Sequence, residues 1–152
     1  MEIVILCVGT NKVIADCFAP IVGEMLIKGN IGVYVYGNLK NTVNALNIDK
    51  YIEYIKTKHR NASVLVIDTR ITFSNEIKVS YGKGPLEVAG LTLKRKIGHY
   101  HITLDIPKNH IKTISLTTII NKAYNVANKL LNLFVLNKKA VFFNNFEKKF
   151  KK

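Results

Sequence analysis

Short apolar runs alternate with amphipathic segments along this chain, a pattern typical of α/β proteins. Two apolar runs, Ile3–Val8 and Ala62–Ile67, predict strands that are buried on both faces, and the alternating run Ile31–Tyr36 predicts another strand. Two later runs, Ile77–Tyr81 and Tyr100–Ile106, predict further strands. Because helical segments separate the first three, the pattern indicates parallel strands joined by right-handed crossovers.

Three helices are predicted between and after these strands. Pro20 suits a first helical turn, and Gly29-Asn30 suits the end of that helix. The segment Ile48–Lys58 has isoleucines at helical spacing, and Ser115 is a suitable N-cap for a long helix from Leu116 to about Leu136. These elements predict an α/β fold, a three-layer α/β/α sandwich with a mixed, mainly parallel sheet.

An aspartate follows each of two predicted strands. Asp16 comes after the first and Asp68 directly after the third. If these strands are neighbours, both carboxylates lie at the carboxyl edge of the sheet, where open α/β sheets bind ligands. Two carboxylates in one cleft share a proton and activate water, or hold a metal. The alternatives are structural, with Asp16 as a helix N-cap and Asp68 as the cap of a turn.

Composition limits the class of protein. The chain has 152 residues, 48% of them hydrophobic, and we expect one domain over residues 1–140 with a basic, aromatic tail over residues 141–152. We find neither a signal peptide nor an apolar run of membrane-spanning length, so we expect a cytoplasmic protein whose Cys7 and Cys17 are free thiols. The formal net charge of +13 favours anionic partners and makes nucleic-acid binding an alternative function.

Other polar and glycine positions are candidates for supporting roles. Gly9, Asn11 and Gly84 are candidates for substrate binding, Asn11 and the backbone near Gly84 as donors to an oxyanion. His99 and His101 lie two residues apart on one strand face, so with Asp16 and Asp68 they are candidate ligands for a divalent metal. The alternative is that these histidines are solvated or core residues, and we expect no obligatory cofactor. His59 is predicted to lie in a surface loop.

Several blocks of the sequence together resemble those of the YyaC-type sporulation proteins. Gly9-Thr10-Asn11, Asp16 and Pro20-Ile21-Val22-Gly23 resemble the pattern G-T-D-R-x-x-G-D-x-x-G-P-x-V-G. Later blocks resemble V-Y-G-T-L, V-H-A-L-N, V-I-D-A, G-P-L-K-P-G and V-G-D-x-x-I-T; they begin at Val35, Val43, Val66, Gly84 and Ile97. The resemblance covers about residues 3 to 125.

That family is similar to spore germination proteases and to hydrogenase-maturation endopeptidases, which share a phosphorylase/hydrolase-like α/β/α fold. The resemblance implies that Asp16 and Asp68 match the two aspartates of the germination proteases. In the hydrogenase peptidases, the equivalent acidic positions and a histidine hold nickel, a role that His99 or His101 would have here. It also implies a peptide or protein substrate, such as a spore protein, and a forespore or mother-cell location; a homo-oligomer is a further expectation.

Three functions therefore remain open. The first is a sporulation-associated peptidase in which one aspartate is a general base and the other, protonated, polarises the scissile carbonyl. The second is an inactive binding or regulatory protein, which Arg70 favours, because a guanidinium close to Asp68 would lower its pKa and oppose a shared proton. The third is a basic nucleic-acid-binding protein, although no recognised nucleic-acid motif is present.

Overall fold

The computed structural model describes residues 2–137. They form seven strands, three helices and two short 3₁₀ turns, Ile14–Asp16 and Lys108–His110. In chain order, the strands and helices are β1 (Ile3–Cys7), α1 (Phe18–Lys28), β2 (Tyr34–Tyr36), α2 (Ile48–Lys58), β3 (Ser63–Thr72), β4 (Lys78–Lys83), β5 (Leu86–Ala89), β6 (Lys94–Ile97), β7 (Tyr100–Pro107) and α3 (Leu116–Asn137).

The main sheet has five strands in the order β2-β1-β3-β7-β4. β1, β2, β3 and β7 are parallel, and β4 joins the edge antiparallel to β7. In the register of the sheet, Cys7 lies beside Ile67, and Asp68 lies beside Thr103. β5 and β6 form a separate antiparallel hairpin. The predicted mixed, mainly parallel sheet is confirmed.

Helices cover both faces of this sheet, as predicted for a three-layer α/β/α sandwich. On one face, α1 and α3 pack against β1, β3 and β7 in a core that includes Phe18, Leu65 and Ile119. On the other face, α2 and the hairpin pack against β1 and β3 in a core that includes Leu6 and Ile52. Both faces of the central strands are apolar because both are buried.

The sequence predicted most elements with small differences in their bounds. α2 is confirmed at Ile48–Lys58 and α3 begins at Leu116, where the Ser115 hydroxyl accepts a hydrogen bond from the Thr118 N–H at 3.1 Å. α1 begins two residues before Pro20, a position that costs little because first-turn N–H groups lack helical partners. The hairpin β5–β6 was not predicted.

The third strand is longer than its apolar run. Its pairing with β7 continues from Leu65 to Thr72, so Asp68 lies within β3 and not beyond its end. Backbone ladder hydrogen bonds do not depend on side-chain polarity, and the polar residues of β3 therefore extend the strand past the core.

No helix within residues 2–137 is both long and apolar enough to cross a membrane. The predicted basic tail, residues 141–152, lies outside the described residues.

Candidate active site

Asp16 lies in the turn that joins β1 to α1. It is the last residue of the 3₁₀ turn Ile14–Asp16, and neither this turn nor α1 has a side-chain cap at its N-terminus. The backbone closes tightly around it, since the Thr10 N–H donates to the Asp16 carbonyl at 3.0 Å, and a side chain on Gly9 would meet that carbonyl at 2.4 Å. The N-cap alternative for Asp16 is therefore wrong, and its carboxylate serves no helix end.

Asp68 lies on the central strand β3, beside this turn. The 3₁₀ turn packs against β3, and the charge of Asp16 acts on the Asp68 carboxyl. One oxygen of Asp68 accepts a hydrogen bond from the Thr69 N–H at 2.7 Å. The fold therefore brings the two aspartates together beside the carboxyl end of β1, because Asp68 follows the residue that pairs with Cys7. The sequence predicted that the aspartates would be neighbours.

Burial raises the pKa of both carboxyl groups. It raises the pKa of Asp16 from 3.8 to about 6, against a smaller opposing effect of the Thr10 N–H. It raises the pKa of Asp68 from 3.8 to about 8, with the Thr69 N–H opposing and the charge of Asp16 adding to the increase. Asp16 ionises first, so its charge is already present when Asp68 titrates. At pH 7, therefore, Asp16 is largely ionised and Asp68 largely protonated.

Arg70 does not pair with Asp68, and the expected lowering of its pKa by this guanidinium is wrong. Arg70 instead donates from Nε and Nη2 to the two oxygens of Asp105, at 3.0 and 2.9 Å. Asp105 is buried and also accepts hydrogen bonds from Ser80 and Thr103. Burial by itself raises the pKa of Asp105, but these donors outweigh it and hold the pKa below 3.8. The charge of Arg70 is thus neutralised by a carboxylate on the neighbouring strand.

Of the three candidate substrate-binding residues, Gly9 and Asn11 share the loop of Asp16, and Gly84 lies elsewhere. Gly9 contacts Asp16, but its N–H donates to the Val43 carbonyl at 2.8 Å. Asn11 is in the same loop and donates from Nδ2 to the Leu39 carbonyl at 2.7 Å. Gly84 is at the opposite edge of the sheet, where its N–H donates to the His99 carbonyl at 2.7 Å, so its expected role beside the aspartates is wrong.

The rings of His99 and His101 make their hydrogen bonds toward the amino edge of the sheet and not with the two aspartates. His99 Nδ1 accepts the Val64 N–H at 3.0 Å, at the amino end of β3. The ring of His101 covers Gly82, where an added Cβ would lie 2.5 Å from its Nε2, and its Nδ1 lies 3.1 Å from the Gly84 carbonyl. Within residues 2–137, no group of three His, Cys, Asp or Glu side chains is placed to hold a metal ion. The described residues therefore do not fit the nickel site that the resemblance implies.

Three further polar groups complete this description. Cys17 is buried and its thiol donates to the Val13 carbonyl at 3.2 Å, with burial raising its pKa, as expected for a structural thiol. The Thr69 hydroxyl, next to Asp68, is buried without a hydrogen-bond partner among residues 2–137. His59 is also buried, at the end of α2, where Nε2 lies 2.7 Å from the Tyr36 hydroxyl. The prediction of a surface loop for His59 is thus wrong.

Comparisons with known proteins find a matching family model and a curated relative. A family model described as "Protein of unknown function (DUF1256)" matches residues 1–133. Over 104 residues, the chain is 30% identical to the uncharacterized protein YyaC of Bacillus subtilis (strain 168). The match covers 66% of this chain and 51% of YyaC, so the chain spans about half the length of this curated relative.

Two solved structures are similar in fold. An uncharacterized protein from Wolinella succinogenes matches with a TM-score of 0.59 and 10% identity, over 91% of this chain and 100% of that chain. The [NiFe] hydrogenase maturation protease HybD from Thermococcus kodakarensis matches with a TM-score of 0.49 and 15% identity, over 86% and 99%. The first of these similarities supports the assignment of the fold.

Proposed function

The chain belongs to the DUF1256 family, and from the site described above we propose that it is a hydrolase in which Asp16 and Asp68 activate water to cleave a peptide bond. The observation that carries this proposal is a pair of adjacent, partly buried carboxyl groups, neither of which has a cationic partner within residues 2–137. Such a pair with separated pKa values supplies a general base and a general acid at neutral pH.

The roles of the two aspartates follow from their protonation. Asp16, with the lower pKa, takes a proton from water while the water oxygen adds to the scissile carbonyl carbon. Asp68, with the higher pKa, gives its proton to the carbonyl oxygen. When the tetrahedral intermediate collapses, Asp16 gives its proton to the leaving amine and Asp68 takes its proton back. Both aspartates therefore return to their starting states.

The pairing of Arg70 with Asp105 supports the catalytic proposal over the inactive alternative. The argument for an inactive protein was that a guanidinium close to Asp68 would keep it ionised. Arg70 instead makes a bidentate contact with Asp105. We extend the proposal to a peptide or protein substrate, and to a spore protein in the cytoplasm of a sporulating cell, on the resemblance to YyaC-type sporulation proteins alone.

The test is hydrolysis of a synthetic peptide library by the full chain in H₂¹⁸O, with mass spectrometry to find ¹⁸O in new carboxyl termini. Asp16→Asn and Asp68→Asn are each expected to reduce the rate about 100-fold or more, the usual size of acid–base catalysis. Asp49→Asn is the matched control, because Asp49 lies in the first turn of α2 and pairs with Arg95. Cleavage that persists in Asp16→Asn would contradict the proposal.

The pH dependence gives a second test. Activity should rise as pH increases through about 6, because the base Asp16 must be ionised, and should fall through about 8, because the acid Asp68 must be protonated. The expected kcat/KM profile is therefore a bell with its maximum near pH 7. A profile that rises steadily to pH 10 would contradict the role of Asp68 as the acid.

A further inference from the structure

A cavity lies at the amino edge of the sheet, opposite the carboxyl edge that carries the two aspartates. It is a cavity of about 250 Å³ between the end of α2, the strand β6 and the start of β7. Its lining includes Val64, which precedes Asp68 by four residues in β3. At about 3.3 Å per strand residue, the two sites lie roughly 13 Å apart along β3. This cavity therefore belongs to a site distinct from the proposed active site.

Three cations surround this cavity without ion-pair partners. Lys56, Arg60 and Lys96 all line it and are exposed, and none forms a salt bridge within residues 2–137. Neighbouring cations differ, since Arg95 pairs with Asp49 and Glu53, and Lys94 pairs with Glu87. The lining contains no acidic residue. Glu2 pairs with His59 from outside this lining, so the three exposed cations leave the described lining with a net positive charge.

His99 adds a neutral donor to the same cavity. Its Nδ1 accepts the Val64 N–H at 3.0 Å, and a nitrogen that accepts a hydrogen bond carries no proton. In this arrangement the imidazole proton is on Nε2, which has no hydrogen-bond partner within residues 2–137. The exposed ring therefore offers an N–H donor beside the three cations.

The floor of the cavity is apolar. Ile55, Val64 and Ile97 line it and belong to the core beneath α2. Cations beside a wall of low dielectric constant focus a stronger positive potential than the same cations on an open surface. A ligand that combines an anionic group with an apolar or aromatic part matches both the rim and the floor.

We propose that this cavity binds a phosphate-bearing small molecule with an apolar or aromatic portion, of about the size of a mononucleotide. A phosphate group carries up to two charges and three terminal oxygens, and so accommodates Lys56, Arg60, Lys96 and the His99 N–H at once. The apolar portion lies on the isoleucine and valine floor. This proposal is independent of the hydrolase proposal, because it uses neither Asp16 nor Asp68.

The test is a titration of the full chain with AMP and, separately, with inorganic phosphate. Binding is measured by calorimetry and by changes in amide chemical shifts. AMP should shift the amides of Ile97, Gly98 and His99, bind more tightly than phosphate, and weaken as salt is added. Lys96→Glu and Arg60→Glu should each weaken AMP binding about tenfold or more, as expected for loss of a charge-assisted hydrogen bond. Lys40→Glu changes the net charge equally and should leave AMP binding unchanged, because Lys40 is an exposed loop residue that does not line the cavity.

Several outcomes would overturn the proposal. Equal affinities for AMP and phosphate would mean that the apolar floor is not used. Equal weakening of AMP binding by Lys96→Glu and Lys40→Glu would indicate diffuse attraction to a basic surface. Much tighter binding of an oligonucleotide, weakened equally by both variants, would indicate the same. Lys56 lies in the last turn of α2, where a cation also favours the helix dipole. If Lys56→Ala lowers stability without weakening AMP binding, its place in the site is wrong.

Discussion

Replacing Asp68 with asparagine is expected to stabilise the protein, and to do so increasingly as pH rises. The pKa of Asp68 is raised from 3.8 to about 8 in the folded protein, mainly by burial. Between these values the folded state binds a proton that the unfolded state releases, so the contribution of this group to stability falls as pH increases. It is fully present below pH 3.8 and is lost as pH rises through about 8.

The size of the effect follows from the two pKa values. Each pKa unit corresponds to about 1.4 kcal/mol. The raised pKa of Asp68 therefore lowers the free energy of unfolding at pH 7 by about 4 kcal/mol, relative to a carboxyl group with an unshifted pKa. The cost at pH 4 is below about 1 kcal/mol, because there both states bind nearly the same number of protons. Asparagine stays neutral at both pH values, and its carbonyl oxygen keeps the acceptor for the Thr69 N–H. Asp68→Asn should therefore recover most of this free energy at pH 7 and little at pH 4.

Urea unfolding at pH 4, 5.5 and 7 measures the difference directly. Asp105→Asn is an informative control, because the pKa of Asp105 is lowered and its contribution to stability has the opposite pH dependence. It should destabilise the protein at pH 7. If Asp68→Asn is no more stable than the wild type at pH 7, or gains the same amount at every pH, the assignment of a protonated, buried Asp68 is refuted.

Two further substitutions test the packing around the site. Arg70→Met leaves the buried Asp105 without its cation and should lower the free energy of unfolding by about 3 kcal/mol or more at pH 7. Urea unfolding should show a smaller decrease at pH 3, where Asp105 is more readily protonated. An equal decrease at pH 3 would contradict the charge argument. Gly23→Ala places a Cβ 1.9 Å from the Gly37 carbonyl oxygen, so overpacking between α1 and the end of β2 should cost about 1–3 kcal/mol despite the better helix propensity of alanine. A melting temperature at or above that of the wild type would show that α1 shifts to relieve this contact without loss of stability.

The sequence predicted those elements in which apolar side chains recur at a single helical or strand spacing. The isoleucines at 48, 52 and 55 predicted α2 at its observed bounds because all three face the core. The sequence did not predict the hairpin β5–β6, because its strands have four residues each and the second, Lys94–Ile97, is mostly cationic. Its strands pair with each other outside the main sheet, so few of their positions are buried and the apolar signal is weak.

The proximity of the two aspartates was predictable, but the length of β3 around Asp68 and the partners of nearby residues were not. The pairing of Arg70 with Asp105 depends on the register between β3 and β7, two strands separated by 35 residues at this pair. The sequence suggested only its near neighbour, Asp68. Gly84 was expected near the aspartates, but β4 runs antiparallel to β7, which carries its far end to the amino edge of the sheet. Strand direction and register are tertiary properties that a single sequence specifies only through long-range contacts.

The contrast between Asp68 and Asp105 is the strongest structural argument that Asp68 has a function. Both are on adjacent central strands, but Asp105 has a guanidinium and two hydroxyl donors, whereas Asp68 has one backbone N–H and the charge of Asp16 nearby. A fold that needed Asp68 only for stability would gain from a neutral residue or a cationic partner at this position. Groups that destabilise the fold and have strongly shifted pKa values are concentrated at functional sites, where the cost in stability is offset by activity. A gain in stability together with a loss of hydrolysis in the same Asp68→Asn variant would therefore identify Asp68 as part of an active site.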